Sequence, residues 1–243
     1  MQDEVLIIGG GVAGCAASIA LARRGRSVTL IEREPTPRHK VCGEFLSGEA
    51  LEDLHALGID VTSLGAVPID YVRLAAARRA ATAPLPFPAK SLTRKALDTA
   101  LIAEAIAAGV RVERGRGVQS LSFTAANIWQ AKLDDGATYE APTAFLATGK
   151  HDLRGHGRPK DAHQWIGFKM YYRMSPAQKA DLGNASELTL YSGGYGGIQP
   201  VEHHITNFCC VVQRRYFARE GLRWEGLLAK MQQDCPHLAM RLG

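Results

Sequence analysis

The chain has 243 residues, of which 46% are hydrophobic, so it can bury a substantial core as one large domain or two intertwined ones. Its net charge of +5 comes from basic residues that are spread along the chain, which argues against a nucleic-acid-binding protein. Five cysteines without metal-type spacing, the lack of a signal peptide and the lack of a membrane-length apolar run lead us to expect a cytoplasmic protein.

The chain begins with a pattern of strand, glycine loop, helix and strand. A short apolar run leads into Gly9, Gly11 and Gly14, spaced as Gly-x-Gly-x-x-Gly, and a small-residue helix is predicted from Cys15 to about Arg24. A second apolar run follows the helix and ends in an acidic residue. This order is typical of the first βαβ unit of a dinucleotide-binding domain.

Each residue type in this pattern has a physical role. Gly9 allows a sharp turn, Gly11 leaves room for a phosphate, and Gly14 lets the helix pack closely on the sheet. The N–H groups and positive end of the helix favour an anion. The carboxylate of Glu32, at the end of the second strand, can accept hydrogen bonds from a ribose diol. The pattern predicts a dinucleotide site, and a purely structural tight turn is the alternative.

The later elements interrupt and then resume this nucleotide-binding unit. We predict helices near 48–57, 93–108 and 221–233, and strands within 71–88 and at 110–113, 118–123, 127–133, 138–141, 143–149, 164–174, 187–191 and 204–213. Asp134-Asp135-Gly136 predicts a hairpin, and a polar linker is expected up to Pro159. An inserted strand layer followed by a separate sheet is typical of flavoproteins rather than of simple nicotinamide dehydrogenases.

Three further segments accompany the glycine loop and Glu32-Arg33. They are Pro37-Arg38-His39-Lys40-Val41-Cys42-Gly43-Glu44, Thr93-Arg94-Lys95-Ala96-Leu97-Asp98 and Ala147-Thr148-Gly149. Together these segments resemble the FAD-dependent oxidoreductases of the aromatic-hydroxylase fold, most closely the geranylgeranyl reductase-like branch. The most specific piece is Lys40-x-Cys42-Gly43-Glu44, because the glycine loop alone is shared by many families.

The resemblance implies an α/β fold with two domains. The first is an FAD-binding, Rossmann-like domain of the glutathione reductase type, with an inserted β-meander, expected over 1–70 and 91–155. The second is a substrate domain with a mixed β-sheet, expected over 71–90 and 156–243 and incomplete at its C-terminus.

The resemblance also implies which residues bind FAD. They are Gly9, Gly11, Gly14, Glu32, Arg33, Lys40, Cys42, Gly43, Arg94, Val118, Ala147, Thr148 and Gly149. Cys42 is the position nearest the flavin ring in similar proteins, and a thiol beside Lys40 could act as a proton donor or redox partner. Alternatively, Cys42 is a small residue that packs against the ring.

The implied activity is hydride transfer from NAD(P)H to FAD, followed by reduction of a small apolar substrate, such as an unsaturated one. The alternatives are an FAD-dependent monooxygenase acting on an aromatic or polyketide-like substrate, a nicotinamide-only dehydrogenase, and a truncated, flavin-free module without catalysis. Residues 195–200 lack the Trp-x-Trp-x-Ile-Pro signature of flavin halogenases, so halogenation is not expected. These residues form either a strand edge that faces the substrate or a turn.

Some expected features are missing or have ordinary interpretations. Thr148 stands where aromatic hydroxylases of this fold carry Asp, and no Gly-Asp dipeptide occurs, so we expect a truncated chain that loses FAD easily.

His203 and His204 are expected on a strand, pointing to opposite faces, and no metal site is predicted. Cys209-Cys210 is expected to pack within a buried strand. Trp165 and Trp224 are expected in a core or an interface.

Overall fold

The computed structural model describes residues 4–158, 164–219, 221 and 223–242. Pro159, at the end of the expected linker, lies outside these residues. The chain divides into two compact units, which comprise residues 1–38, 54–59 and 95–160, and residues 39–53, 60–94 and 161–243. Within the described part of the chain, no helix is both long enough and apolar enough to cross a bilayer.

The strands are β1 (Val5–Ile8), β2 (Val28–Glu32), β3 (Phe45–Leu46), β4 (Val67–Ala76), β5 (Arg79–Ser91), β6 (Arg111–Arg114), β7 (Val118–Phe123), β8 (Trp129–Leu133), β9 (Thr138–Ala141), β10 (Thr143–Leu146), β11 (Trp165–Tyr172), β12 (Ala185–Tyr191), β13 (Gly194–Val201) and β14 (Ile205–Gln213). The helices are α1 (Val12–Ala22), α2 (Gly48–Ala56), α3 (Arg94–Ala107), α4 (Pro176–Leu182), α5 (Arg214–Arg219), α6 (Trp224–Asp234) and α7 (Pro236–Leu242). A short 3-10 helix covers Glu202–His204.

The first unit contains a parallel four-stranded sheet with the order β10-β1-β2-β6. All four residues of β1 are apolar and buried, as expected for a central strand that is covered on both faces. Helix α1 contributes the buried residues Gly14, Cys15, Ser18 and Ile19, whose spacing of about one turn defines a single packed face. The sheet and α1 thus form the predicted nucleotide-binding unit.

An antiparallel meander, β7-β8-β9, is inserted between β6 and β10 of this sheet. Its buried residues Leu121, Ala131 and Leu133 share one hydrophobic cluster with Leu6 and Ile8 of β1. The insertion is therefore packed against the parallel sheet, and the predicted fold class is confirmed.

The second unit contains a mixed seven-stranded sheet with the order β11-β14-β13-β12-β4-β5-β3. Strands β12 and β4 pair in parallel, and the other neighbours pair antiparallel. Residues from β13, β14, α6 and α7 form its main hydrophobic cluster, which includes Ile198, Phe208, Cys210, Val212, Leu227, Met231 and Leu238. Alternate residues of β14 therefore face this core.

The unit boundaries differ from the expected domain boundaries. Residues 39–53 and 60–70 group with the second unit, although the sequence placed them in the FAD-binding domain. The reason is strand pairing, because Phe45 pairs with Ser91 of β5, and β4 begins at Val67 within the same sheet.

Residues 195–200 lie in β13, an interior strand between β12 and β14, so the turn alternative is wrong for them. Glycine is required there because a β-carbon at Gly194 would lie 2.0 Å from the carbonyl oxygen of Val211. A β-carbon at Gly196 would lie 2.5 Å from Cε2 of Phe208. Close packing of β13 on β14 explains the glycine content that had suggested a turn.

The expectation that His203 and His204 lie on a strand is wrong. Both residues adopt a left-handed backbone, with φ of 61° and 58°, in the short turn before β14. The core alternative is wrong for Trp165, because 54% of this residue is exposed, and an interface position stays a prediction. Trp224 packs against the core cluster of the second unit.

A buried carboxylate joins the last helix to the second sheet. Glu187 on β12 is fully buried, and Arg241 of α7 donates to its two oxygens at 2.9–3.2 Å. Arg73 of β4 donates to the same carboxylate at 3.0 Å, and Nε2 of His237 lies 2.9 Å from it. Burial alone would raise the pKa of Glu187, but the hydrogen bonds from Arg241 and His237 bring the pKa below its ordinary value of 4.5.

Substitution of Glu187→Gln is expected to lower the free energy of unfolding by about 3–5 kcal/mol, because it removes the buried counter-charge of Arg241 and Arg73 and leaves them only the exposed carboxylate of Asp181. Because the folded pKa is lowered, the contribution of Glu187 is present above pH 4.5 and is lost as the pH falls below that value. Urea denaturation between pH 3 and 7 measures both effects. Glu140→Gln, at an exposed position, is the control, and equal losses in the two variants would contradict the prediction.

Candidate functional site

The glycine loop of the first unit is defined by close contacts between backbone segments. Gly9 has a φ of +112°, and a β-carbon on it would lie 2.4 Å from the carbonyl oxygen of Ala147. A β-carbon at Gly14 would lie 1.8 Å from the carbonyl oxygen of Gly9. The structure therefore brings Gly9, Gly14 and Ala147 together at the ends of β1 and β10, as close approach of α1 to the sheet requires.

The N-terminus of α1 is open. Gly11 is the N-cap residue, no side chain caps the helix by a hydrogen bond, and its first turn contains no acidic residue. Val12 is half-buried and Ala13 is exposed. Because the first N–H groups of a helix have no partner within the helix and carry its positive end, this position fits a phosphate group.

Glu32, at the end of β2, holds the glycine loop in place. Its Oε2 accepts a hydrogen bond of 2.7 Å from the backbone N–H of Gly10, and its Oε1 accepts one of 2.8 Å from that of Glu34. A carboxylate can accept about four hydrogen bonds, so capacity for ribose hydroxyls is left. The sequence had suggested only the ribose contact, and the bracing of the loop by Glu32 was missed.

The other predicted positions of the first unit lie around the ends of its strands. Arg33 is exposed and pairs with Glu34 at 3.5 Å, and Val118 is the half-buried first residue of β7. Oγ1 of Thr148 donates to the carbonyl of His151 at 2.5 Å, and Gly149 has a φ of +65°. These four roles in FAD binding stay predictions from the resemblance.

In the second unit, the segment around Cys42 lies on the face of β13 and β14 that carries Gln199, Asn207 and Cys209, which we call the polar face. Nδ2 of Asn207 donates to the carbonyl oxygens of Cys42, at 3.3 Å, and Gly43, at 2.9 Å. Nε2 of Gln199 also donates to the carbonyl of Gly43, at 2.8 Å. Two amide side chains from adjacent strands therefore fix the backbone on which the Cys42 thiol is carried.

Glu44 anchors the end of this segment. Glu44 is 2% exposed and has a φ of 65°. Its Oε1 accepts hydrogen bonds from the backbone N–H of Arg94, at 2.7 Å, and from the hydroxyl of Tyr171, at 2.8 Å, and it forms a buried ion pair with Lys169. The Tyr171 hydroxyl also lies 2.8 Å from Nδ1 of His39. Glu44 thus caps the start of α3, the helix on which Arg94 is predicted to act.

Three buried polar atoms near this segment have no hydrogen-bond partner among the described residues. They are Oε2 of Glu44, Nζ of Lys169, whose contact with Glu44 is an ion pair, and Oδ1 of Asn207. A buried polar atom without a hydrogen bond costs about 1–3 kcal/mol, so these atoms favour a bound polar group. They support the prediction of a ligand site at Lys40, Cys42 and Gly43.

Sequence reasoning missed Lys169, Tyr171, Gln199, Asn207 and Cys209 as site residues. The available signal was a short alternation, because Lys169 and Tyr171 alternate with Phe168 and Met170 in β11. In β14, Asn207 and Cys209 alternate in the same way with Phe208 and Cys210. This pattern indicates a sheet with one apolar and one polar face. In the described part of the chain, no group of three His, Cys, Asp or Glu side chains could hold a metal ion.

Replacement of Gly14 by Ala is expected to destabilise the chain by at least about 1–3 kcal/mol, because backbone would have to move away from the new methyl group. The matched control is Gly157→Ala, where a β-carbon would meet nothing within 4 Å. Thermal and urea denaturation of both variants measure the difference. Equal stability of Gly14→Ala and the parent chain would show that the tight approach at the loop is not required.

The Lys169–Glu44 pair gives a second prediction. Lys169→Met leaves the buried Glu44 carboxylate without its cation, so we expect a loss of about 3–5 kcal/mol. The double variant Lys169→Met/Glu44→Gln removes the charge as well and is expected to regain part of that loss. Urea denaturation of the two single variants and the double variant gives the coupling energy. If the loss of unfolding free energy in the double variant equals the sum of the losses in the two single variants, Lys169 and Glu44 are not coupled and the prediction is wrong.

The comparison with known proteins agrees with this geometry. Residues 4–83 match the family model of the FAD dependent oxidoreductases. The menaquinone reductase of Mycolicibacterium smegmatis is 28% identical over 160 residues, which are 63% of this chain and 39% of that protein. The squalene epoxidase erg1 of Schizosaccharomyces pombe is 41% identical over 59 residues, which are 24% of this chain and 13% of that protein. This chain thus matches less than half the length of either relative.

Solved structures show the same fold over almost the whole chain. The myxobacterial chondrochloren halogenase CndH, an FAD-dependent halogenase, superimposes with a TM-score of 0.80 at 19% identity, over 100% of this chain and 60% of that one. A flavoprotein/dehydrogenase from Cytophaga hutchinsonii superimposes with a TM-score of 0.80 at 21% identity, over 98% and 62% of the two chains. Residues 4–83 are therefore similar to the FAD dependent oxidoreductases, and the fold of the chain is that of the FAD-dependent halogenase and the flavoprotein/dehydrogenase with which it superimposes.

Proposed function

We propose that this chain binds FAD and uses it to reduce a small apolar substrate with electrons from NAD(P)H. The observation that carries the proposal is the open N-terminus of α1, held beside β1 by the Gly9–Gly14 contact and by Glu32. A helix N-terminus without a capping side chain or an acidic first turn suits a pyrophosphate. The match of residues 4–83 to the FAD dependent oxidoreductases supports the choice of FAD.

The residues of each unit have separate roles in this proposal. In the first unit, the first N–H groups of α1 bind the pyrophosphate, and the remaining lone pairs of Glu32 accept the ribose hydroxyls. The neighbouring contacts come from Arg33, Val118, Ala147, Thr148 and Gly149. For the second unit, the resemblance assigns Lys40, Cys42 and Gly43 to the flavin end, and Arg94 to the pyrophosphate or ribityl region. When bound, FAD supplies the two-electron chemistry.

Cys42 is the proposed proton donor for an unsaturated apolar substrate. The backbone N–H of Glu44 lies 3.4 Å from its Sγ and can stabilise the thiolate that is left after the proton is given up. Asn207 and Gln199 hold the neighbouring carbonyl groups, so the thiol has a fixed backbone. The menaquinone reductase similarity and the Lys40-x-Cys42-Gly43-Glu44 motif favour a reductase of the geranylgeranyl reductase-like branch.

An FAD-dependent monooxygenase is the second candidate. It is favoured by the squalene epoxidases, two of which are 41% and 43% identical over 59 and 56 residues. The two candidates differ in what happens to the reduced enzyme in air. A reductase returns its electrons to the substrate, whereas a monooxygenase uses molecular oxygen and places one oxygen atom in the product.

Titration of the purified chain with FAD, followed by flavin fluorescence, tests the proposal. Saturable binding at one site per chain is expected, weakened about tenfold or more by Glu32→Gln, because an amide cannot replace both charge-assisted hydrogen bonds to Gly10 and Glu34. Glu104→Gln, at an ion pair remote in sequence from the loop, is the control. A folded chain that binds no FAD would favour the flavin-free module.

Stopped-flow oxidation of the chemically reduced, FAD-loaded chain distinguishes the two activities. A reductase is expected to show direct reoxidation without a spectral intermediate, and Cys42→Ser is expected to bind FAD normally but to lower turnover. A transient oxygen adduct that is stabilised by an apolar substrate would contradict the reductase and support the monooxygenase.

A further inference from the structure

All five cysteines lie in the described part of the chain and none of them forms a disulfide, but they fall into two groups. Cys15, Cys210 and Cys235 are fully buried, whereas Cys42 and Cys209 are half-buried. The half-buried pair is separated by more than half the length of the chain, yet both cysteines belong to the second unit.

Strand β14 presents Cys209 on its polar face. Phe208, Cys210 and Val212 are buried in the core cluster, so alternation places Asn207, Cys209 and Val211 on the opposite face. The register supports the assignment, because Cys209 pairs with Lys169 on one side and with Gly197 on the other. Gly197 has no side chain that could cover the thiol.

The Cys42 segment crosses that same face. Cγ1 of Val41 lies 2.9 Å from the position of a β-carbon at Gly167, the residue paired with Val211. At the other end, Asn207 donates to the carbonyls of Cys42 and Gly43. The segment therefore runs from Val211 towards Asn207, and Cys42 lies between them, over Cys209.

The electrostatic surroundings of Cys209 agree with this placement. Burial raises the pKa of the Cys209 thiol, and the Cys42 thiol and the Glu44 carboxylate add to the rise. The ammonium of Lys169 and a hydrogen bond from the backbone of Cys42 act in the opposite direction without reversing it. The backbone of Cys42 is thus within reach of the Cys209 sulfur. The buried cation beside Cys209 gives this thiol a partner that can stabilise its thiolate.

We propose that Cys42 and Cys209 form a reversible dithiol–disulfide couple on the polar face of the second sheet. With a low-molecular-weight disulfide as oxidant, one cysteine thiolate attacks the disulfide and releases one thiol. The second thiolate then attacks the mixed disulfide and releases the other thiol. One disulfide bond is broken and one is formed, and the two protons lost by the cysteines are carried by the two released thiols.

The couple does not require bound flavin, so its test is independent of the proposed function. One consequence does rest on that function, because the oxidised state removes the Cys42 thiol as a proton donor. Oxidation is then expected to suppress turnover, and reduction with dithiothreitol is expected to restore it.

The experiment uses the full chain, incubated with glutathione disulfide and then blocked with N-ethylmaleimide. Free thiols are expected to fall from five to three. Trypsin is expected to release residues 41–73 joined to residues 180–214, and fragmentation between Cys209 and Cys210 identifies the linked sulfur. Cys209→Ser is expected to stop at a glutathione adduct on Cys42, whereas Cys210→Ser, with the serine on the core face, is expected to form the same link.

Three outcomes would overturn the proposal. The first is a wild-type chain in which Cys42 keeps its glutathione adduct without resolving to a disulfide. The second is a link that maps to Cys210, or that persists in Cys209→Ser. The third is a folded chain whose five thiols all stay free, while the urea-unfolded chain reacts. Because fragmentation assigns the sulfur in the wild-type chain, the result stands even if Cys210→Ser does not fold.

Discussion

The contact between the backbone at Gly9 and the first turn of α1 is the constraint on which the nucleotide-binding unit depends. A β-carbon at Gly14 would lie 1.8 Å from the carbonyl oxygen of Gly9, so helix and loop can approach this closely only through glycine. The same approach positions the N–H groups of α1 next to the end of β1. Glu32 completes the arrangement, because its carboxylate ties Gly10 of the loop to the backbone after β2.

In the second unit, buried carboxylates organise the junctions between elements. Glu44 joins the Cys42 segment to the start of α3, and Glu187 joins β12 to α7. Glu202, in the turn before β14, accepts a hydrogen bond of 3.0 Å from the backbone N–H of Thr93 and also contacts its hydroxyl. Each carboxylate has nearby cations or backbone donors, which is the condition for burying a charge without a large net cost.

The local patterns of the sequence predicted most of the elements. The limits of β7 and β9 were predicted as found, and α2 and α3 agree within about two residues, because apolar periodicity and capping residues act over short distances. The sequence did not indicate that β13 is an interior strand, because its glycines suggested a turn. In the structure, Gly194 and Gly196 instead leave room for the neighbouring strand β14. The left-handed backbone at His203 and His204 was also missed, because residues other than glycine only uncommonly adopt a positive φ.

The residues of the candidate site were likewise predicted from the sequence only in part. Gly9, Gly14 and Glu32 were recognisable because their chemistry and spacing lie within one βαβ unit. Lys169, Asn207 and Cys209 approach the Cys42 segment only through tertiary contacts that span more than a hundred residues, which a single sequence does not encode locally. Their polar alternation was visible, but the segment that it faces was not.

Hydrogen–deuterium exchange of the amides at residues 9–15, with and without FAD, tests the central claim most directly. If the pyrophosphate binds at the open N-terminus of α1, these amides exchange more slowly when FAD is added, while the amides of α6, which contains none of the proposed FAD-binding residues, are unchanged. Unchanged exchange at residues 9–15, in a chain saturated with FAD, would contradict the account.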